Sequence, residues 1–264
     1  MEQPKRKLKV VVMRHAESVY NKTQAEYAEH NGLHPKYEDL ECRFLTIPGI
    51  VDAILTEKGI HQCQEASAHI VTKHPNLKYV AVSPMRRTLM TAENSLKNYP
   101  GKLEWTLLPW IREILMSQCD LGIHCLEHLK SMPYIDPSPL NNDPLWFLTY
   151  YVEDERKLAQ EMREAYKNNP TEVSLINVLK KYFPEFESPK QMYARIEKVK
   201  EWVRNFVAEK ERNGIEVKDE ELIIVAHSRI LRYLFGVFTL DGEVIPEREV
   251  FFKNAETAVH EFDV

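Results

Sequence analysis

The sequence predicts an α/β fold: a three-layer α/β/α sandwich with a mostly parallel central sheet and a helical insertion. Three observations predict it. Val10–Met13, Tyr79–Val82 and Leu222–Ala226 are unbroken apolar runs rich in β-branched residues. Such runs suit strands buried on both faces of a parallel sheet. Each run stops abruptly at polar residues: Arg14-His15, Ser83 to Arg87, and His227-Ser228-Arg229. Helical patterns follow the second and third runs, one after Ser83 to Arg87 and running to about Leu96, the other over Ile230–Phe238. Open α/β sheets bind ligands outside the carboxyl ends of their strands, where these polar residues fall.

Length and composition bound the answer. At 264 residues, 44% hydrophobic and 28% charged, the chain has an ordinary globular composition and enough length for a substantial core. It reads as one domain over 1–264, with a helical insertion at 116–188. The formal net charge is −5, from 35 basic and 40 acidic side chains. That balance argues against nucleic acid and against a basic membrane-docking surface. No apolar run reaches the ~20 residues of a membrane span. The basic residues Lys5, Arg6, Lys7 and Lys9 precede no signal-peptide core and read as a solvated tail. Cys42, Cys63, Cys119 and Cys125 have no C-x-x-C spacing, so reduced thiols, a cytoplasmic location and no metal site are expected.

Taken in order, the elements have local reasons. Asn21 to Pro48 is polar and aperiodic, a long loop with a helical turn at Gln24–His30. Thr56 is the N-cap of a helix running to His74. Leu103–Leu108 is a third strand, leading into Arg112-Glu113. From Met116 to Ser188 the chain is expected to be mostly helical with proline-rich joints. Asp143-Pro144 reads as an N-cap and N1 proline for a helix to Asn168, whose Trp146, Phe147, Tyr150 and Tyr151 form a packing cluster. A further helix spans Thr171–Phe183. Ser188-Pro189-Lys190-Gln191 opens a helix with a clear apolar stripe from Met192 to Val207, stopped at Gly214. Val250–Phe252 and Thr257–Phe262 read as closing strands, the second alternating like an antiparallel or edge strand.

The polar strand ends carry one chemical logic. Arginine binds phosphate through a planar fork of donors. A histidine beside an arginine is held neutral and keeps a nucleophilic lone pair. Arg86 and Arg87 sit at a helix N-terminus, where the macrodipole disfavours cations and a bound anion would explain them. Each feature has a plainer reading: a solvated arginine, a capping histidine, or, for Glu113, surface decoration. Parallel neighbouring strands would bring Arg14, His15, Arg87, Glu113 and His227 together as a site for a dianionic phosphoryl group. Its positive charge would come from Arg and His rather than a metal. Glu113 is the candidate acid for the leaving alkoxide.

Several segments in order resemble the histidine phosphatase superfamily, the phosphoglycerate mutase-like family (branch 1). They are Arg14-His15-Ala16-Glu17-Ser18 with Asn21, Leu55-Thr56-Glu57-Lys58-Gly59, Ser83-Pro84-Met85-Arg86-Arg87-Thr88 with Thr91-Ala92, and Val225-Ala226-His227-Ser228 with Leu231-Arg232. Asn254 and the last strand match the family's ending. The resemblance implies that His15 becomes phosphohistidine. It also implies that Arg14, Arg87 and His227 complete the phosphate pocket, that Asn21 adds a phosphate contact, and that Glu113 donates the proton. Ala16 and Ser228 replace usual glycines; Ser228 remains small enough for substrate to approach its backbone.

The mutase segment E-R-H-Y-G is absent at Arg112-Glu113-Ile114-Leu115-Met116. The expectation is therefore a metal-independent phosphomonoester phosphatase without a cofactor, acting on a small phosphorylated substrate or a phosphoprotein. The alternatives are mutase-type phosphoryl transfer and a non-catalytic phosphate-binding scaffold. The sequence assigns neither the substrate nor an oligomeric state.

Overall fold

The computed structural model describes residues 7–32, 44, 47–149, 156–183, 187–215 and 220–264. Five strands form one sheet in the order β3-β2-β4-β1-β5. They are β1 (Lys7–Arg14), β2 (Leu77–Val82), β3 (Glu104–Leu107), β4 (Glu221–Ala226) and β5 (Thr257–Asp263). All pairings are parallel except β1 with β5, so the closing strand is antiparallel and at the edge, as its alternation predicts.

The sheet is buried on both faces because its central strands are apolar at successive positions. Side chains alternate across a strand. Val11, Met13, Val80, Val82, Ile223 and Val225 accordingly join one apolar cluster. Val10, Val12, Tyr79, Ala81, Ile224 and Ala226 join the other. The first cluster takes Cys63 and Ile70 of α2 (Glu57–Lys73) and Leu89, Ala92 and Leu96 of α3 (Arg86–Leu96). The insertion packs into it too, through α4 (Cys125–Leu129), α5 (Lys157–Asn168) and α6 (Glu172–Lys181). The second cluster takes the stripe Met192, Ile196, Val199, Val203 and Val207 of α7 (Pro189–Arg212) and Ile230, Leu231 and Leu234 of α8 (Ser228–Leu234). Three layers result.

Capping follows the sequence closely. Thr56 and Ser188 accept hydrogen bonds from Gly59 N–H and Gln191 N–H. Gly214 lies just past α7 with φ +76°. Gly59 has a steric reason as well: a Cβ there would lie 2.2 Å from the Glu17 carbonyl oxygen, so α2 can reach the end of β1 only with glycine.

Four expectations need correction. The helical turn at Gln24–His30 is a full helix, α1 (Val19–His30), started by a reciprocal cap between Ser18 and Asn21. Among the described residues, the stretch from Met116 to residue 156 is less helical than expected, with short turns at Gln118–Asp120, Ser138–Leu140 and Trp146–Leu148 besides α4. No helix runs from Pro144 to Asn168. Asp143 accepts the Leu145 N–H in a local turn, and α5 begins only at Lys157. Pro133, Pro137, Pro139 and Pro144 lack the N–H an α-helix would use. Trp146 and Phe147 are buried core residues as expected, whereas Tyr150, Tyr151 and Cys42 lie outside the described residues. Val250–Phe252 is not a strand, because the Phe252 carbonyl turns to accept from Arg14 Nη1 at 2.6 Å. Among the described residues, no helix is long and apolar enough to cross a membrane.

Candidate active site

The parallel register places Arg14 of β1 beside Ala226 of β4, so the residues that follow, His15 and His227, emerge side by side. His15 N–H donates to the Ala226 carbonyl at 2.9 Å, and Ser83 N–H, after β2, donates to Val225 O at 3.1 Å. Three strand ends are thus laced together by backbone bonds. Asn254 Nδ2 closes the turn from the far side, donating to His15 O at 3.0 Å. Thr91 of α3 accepts from Ala16 N–H at 2.9 Å.

His15 is buried, and its Nδ1 lies 2.8 Å from the Ala16 carbonyl oxygen. A carbonyl only accepts, so Nδ1 carries the proton and Nε2 keeps its lone pair. Burial, then the charges of Arg87 and Arg14, hold the ring well below the ordinary histidine pKa. It is therefore neutral across the physiological range.

His227 has the opposite tautomer. Arg87 Nε donates to its Nδ1 at 3.2 Å, which leaves Nε2–H to donate to Ser83 Oγ at 2.8 Å. Burial and then Arg87 depress its pKa as well. The two rings meet edge to face with centroids 5.2 Å apart.

Arg14, His15, Asn21, Arg87, Glu113 and Ser228 all line one cavity of 520 Å³. His227 does not line it and stands directly behind Arg87. Arg14 gives Nη1 to Phe252 O, while its Nε is buried without an acceptor among the described residues. An orphaned buried donor costs roughly 1–3 kcal/mol, a cost that a bound anion would offset. Asn21 spends its Oδ1 on Ser18, which leaves its amide N–H groups for the cavity. Glu113 accepts backbone N–H bonds from Arg229 and Ile230 at 3.2 Å, and from Ile114 at 3.0 Å. Even so its carboxyl is raised above the usual range, by burial first and by the nearby Asp120 charge second.

Some of the site is not legible in the sequence. Arg87 is paired with Asp120 at 2.9 Å and also donates to the Cys119 carbonyl at 2.8 Å. Asp120 sits in the insertion, with its second oxygen held by Met116 N–H, Ser117 N–H and Ser117 Oγ. Arg86 faces away from this cavity: its N–H bonds Asp52 Oδ1 and its Nε bonds Asp52 O. Asp52, not a bound anion, thus answers that arginine. Behind Glu113, the buried Glu187 bridges Arg112 and Arg195 at 2.8–3.0 Å. Burial alone would raise the Glu187 carboxyl; the two guanidiniums outweigh it and bring it down to about 2. Ser83 was visible only as part of a motif, and the two aspartates had no periodic or motif signal. Among the described residues no group of three or more His, Cys, Asp or Glu side chains is placed to hold a metal.

Comparison with known proteins bears on family and fold. No curated protein matches the chain. A phosphoglycerate mutase from Bacillus anthracis str. Sterne is 13% identical, with 98% of this chain and 89% of that chain covered and a TM-score of 0.51. A mycobacterial glucosyl-3-phosphoglycerate phosphatase is 17% identical, with 97% and 91% covered and a TM-score of 0.50. At these identities the likeness concerns the fold. Residues 41–144, which carry Ser83, Arg87 and Glu113, match the family described as histidine phosphatase superfamily (branch 1). Residues 41–144 are thus similar to histidine phosphatase superfamily sequence, and the chain has an α/β fold like that of the phosphoglycerate mutase.

Proposed function

We propose that the protein is a metal-independent phosphomonoester phosphatase that works through a phosphohistidine on His15. The observation that carries this reading is the His15 tautomer: Nδ1–H is spent on the Ala16 carbonyl, so Nε2 is a free nucleophile in a cavity that also holds Arg14 and Arg87. The family match over 41–144 supports it.

In the first half-reaction His15 Nε2 attacks phosphorus and the P–O bond to the leaving group breaks. The leaving alkoxide takes a proton from Glu113, whose carboxyl pKa is raised by burial and then by Asp120. Arg14 and Arg87 stabilise the non-bridging oxygens, Arg14 through its unpartnered Nε. The Ala16 carbonyl steadies the positive charge left on the Nδ1–H side of the ring. In the second half-reaction water attacks phosphorus, gives its proton to the Glu113 carboxylate, and the P–N bond breaks. Orthophosphate leaves and neutral His15 is restored. His227 acts as a positioning residue, accepting from Arg87 through Nδ1. Asn21 and the backbone around Ser228 are the remaining contacts offered to substrate.

The test is phosphate release from a panel of phosphomonoesters in EDTA, with His15→Ala alongside. Turnover that persists in EDTA and disappears in the variant is expected. Rapid interconversion of 3- and 2-phosphoglycerate in place of phosphate release would assign the site to mutase chemistry instead. Equal background rates in both proteins would leave a phosphate-binding scaffold.

A further inference from the structure

The cavity has a second cationic wall that the phosphoryl chemistry does not use. Arg229 and Arg232 stand three residues apart on α8, so they share one face. Both line the same cavity as His15. The Arg232 guanidinium carbon lies 4.7 Å from the Phe238 ring centroid and 4.8 Å from that of Phe251, so the guanidinium is held between two aromatic faces. Arg229 lies 5.7 Å from the Phe238 centroid. Aromatic contacts fix a guanidinium's position while leaving its in-plane N–H groups free to donate.

The counter-charge on this wall is thin. Arg232 meets Glu249 at 3.4 Å, and its Nε is buried with no acceptor among the described residues. The Arg229 side chain has no ion-pair partner among the described residues, although its backbone N–H donates to Glu113 Oε2 at 3.2 Å. Two like charges side by side in a partly buried wall repel each other. Burial and then Arg229 accordingly lower the Arg232 pKa. The wall also lies toward the mouth: His15 and Arg87 are 4% and 3% exposed, whereas Phe251 is 61% exposed. A substrate whose phosphoryl group rests on Arg14 and Arg87 would therefore extend its leaving group along Arg229 and Arg232.

We infer that Arg229 and Arg232 form a second anion subsite, and that the preferred ligand is a phosphomonoester whose leaving group carries its own carboxylate or phosphate. The inference rests on the phosphatase reading only for which end of the ligand is the leaving group. The anion site itself can be read by binding alone.

The experiment measures calorimetric affinities of benzylphosphonate, its 2-, 3- and 4-carboxylated analogues and its 4-aminomethyl analogue, at fixed ionic strength. These compounds are not hydrolysed, so binding is read whether or not the protein turns over. In the wild type at least one carboxylated analogue is expected to bind about tenfold or more tightly than the parent, as a charge-assisted hydrogen bond allows. The aminomethyl analogue is expected to bind more weakly than the parent. In Arg229→Gln and in Arg232→Gln the ratio of carboxylated to parent affinity is expected to collapse toward one. Because each protein supplies its own ratio, partial misfolding of one variant does not mimic the result. Equal affinities for all analogues in the wild type would overturn the inference, as would a ratio preserved in both variants. Hydrolysis of the corresponding phosphate esters is assayed separately. Preference without hydrolysis would refute the phosphatase reading and keep the subsite; hydrolysis without preference would do the reverse.

Discussion

Replacing Glu187 with glutamine removes the buried carboxylate that bridges two buried arginines. Arg112 and Arg195 are 1% and 0% exposed and Glu187 is 0% exposed. Its two oxygens accept from Arg112 Nη1 and Nη2, Arg195 Nη1 and the Leu115 N–H. Glutamine keeps one acceptor and turns an NH₂ group toward a guanidinium. Breaking such a buried pair from one side costs about 3–5 kcal/mol, because a buried charge loses its bridging carboxylate. For a chain of this size that loss lowers Tm by roughly 10 °C. The sign with pH follows from the depressed carboxyl. A glutamate moved from the ordinary 4.5 down to about 2 in the folded state contributes on the order of 3 kcal/mol. That contribution is complete above pH 5 and is lost as the pH falls from 5 toward 2. Urea unfolding at pH 7, 5, 4 and 3 is the assay. The gap between wild type and Glu187→Gln is widest at pH 7 and narrows below pH 5. The variant also loses kcat, because Arg112 Nη1 donates to the Glu113 carbonyl at 2.9 Å and anchors the backbone of the proposed acid. A loss under about 1 kcal/mol at pH 7, or a gap that does not change with pH, would refute the reasoning.

Three other perturbations probe the site and its frame. Asp120→Asn removes a charge that raises the Glu113 pKa, so the alkaline fall of kcat moves to lower pH; an unmoved limb would mean that burial alone raises the Glu113 pKa. Glu113→Gln should slow hydrolysis of alkyl phosphates by about 10²–10⁴ while sparing p-nitrophenyl phosphate, whose leaving group needs no proton; equal losses on both substrates would assign Glu113 a purely structural role. Gly59→Ala places a Cβ against the Glu17 carbonyl oxygen, at a spacing of 2.2 Å that the backbone must relieve. It should cost about 1–3 kcal/mol in thermal unfolding, and a loss below 0.5 kcal/mol would show that α2 shifts freely from β1.

The parts of the fold legible in the sequence are those with a local cause. β1, β2 and β4 are unbroken apolar runs because both sheet faces are covered, and their abrupt ends mark Arg14-His15, Ser83 and His227 without any tertiary knowledge. Thr56 and Ser188 cap their helices because a hydroxyl followed by a helical pattern satisfies an orphaned N–H by itself. What was hidden depends on distant partners. Asp52 and Asp120 are single aspartates in aperiodic stretches, and only the fold brings them to Arg86 and Arg87. Val250–Phe252 has strand composition, yet the Arg14 guanidinium takes the Phe252 carbonyl out of any ladder. The stretch from Asp143 to Asn168 has helical composition, and its first part instead winds into a short turn that seats Trp146 in the core. Glu113 was readable as a polar residue after a strand; that it caps α8, and that a buried ion cluster stands behind it, was not.

The most direct test of the central claim is chemical trapping of the intermediate. The protein is mixed with a turned-over phosphomonoester, quenched in alkaline denaturant within milliseconds, and its peptides are mapped by mass spectrometry. The account predicts an alkali-stable, acid-labile phosphoryl group on the peptide containing His15, bonded at Nε2, and absent from His15→Ala. Steady turnover with no phosphoryl group on any peptide, or with the group on His227, would contradict it.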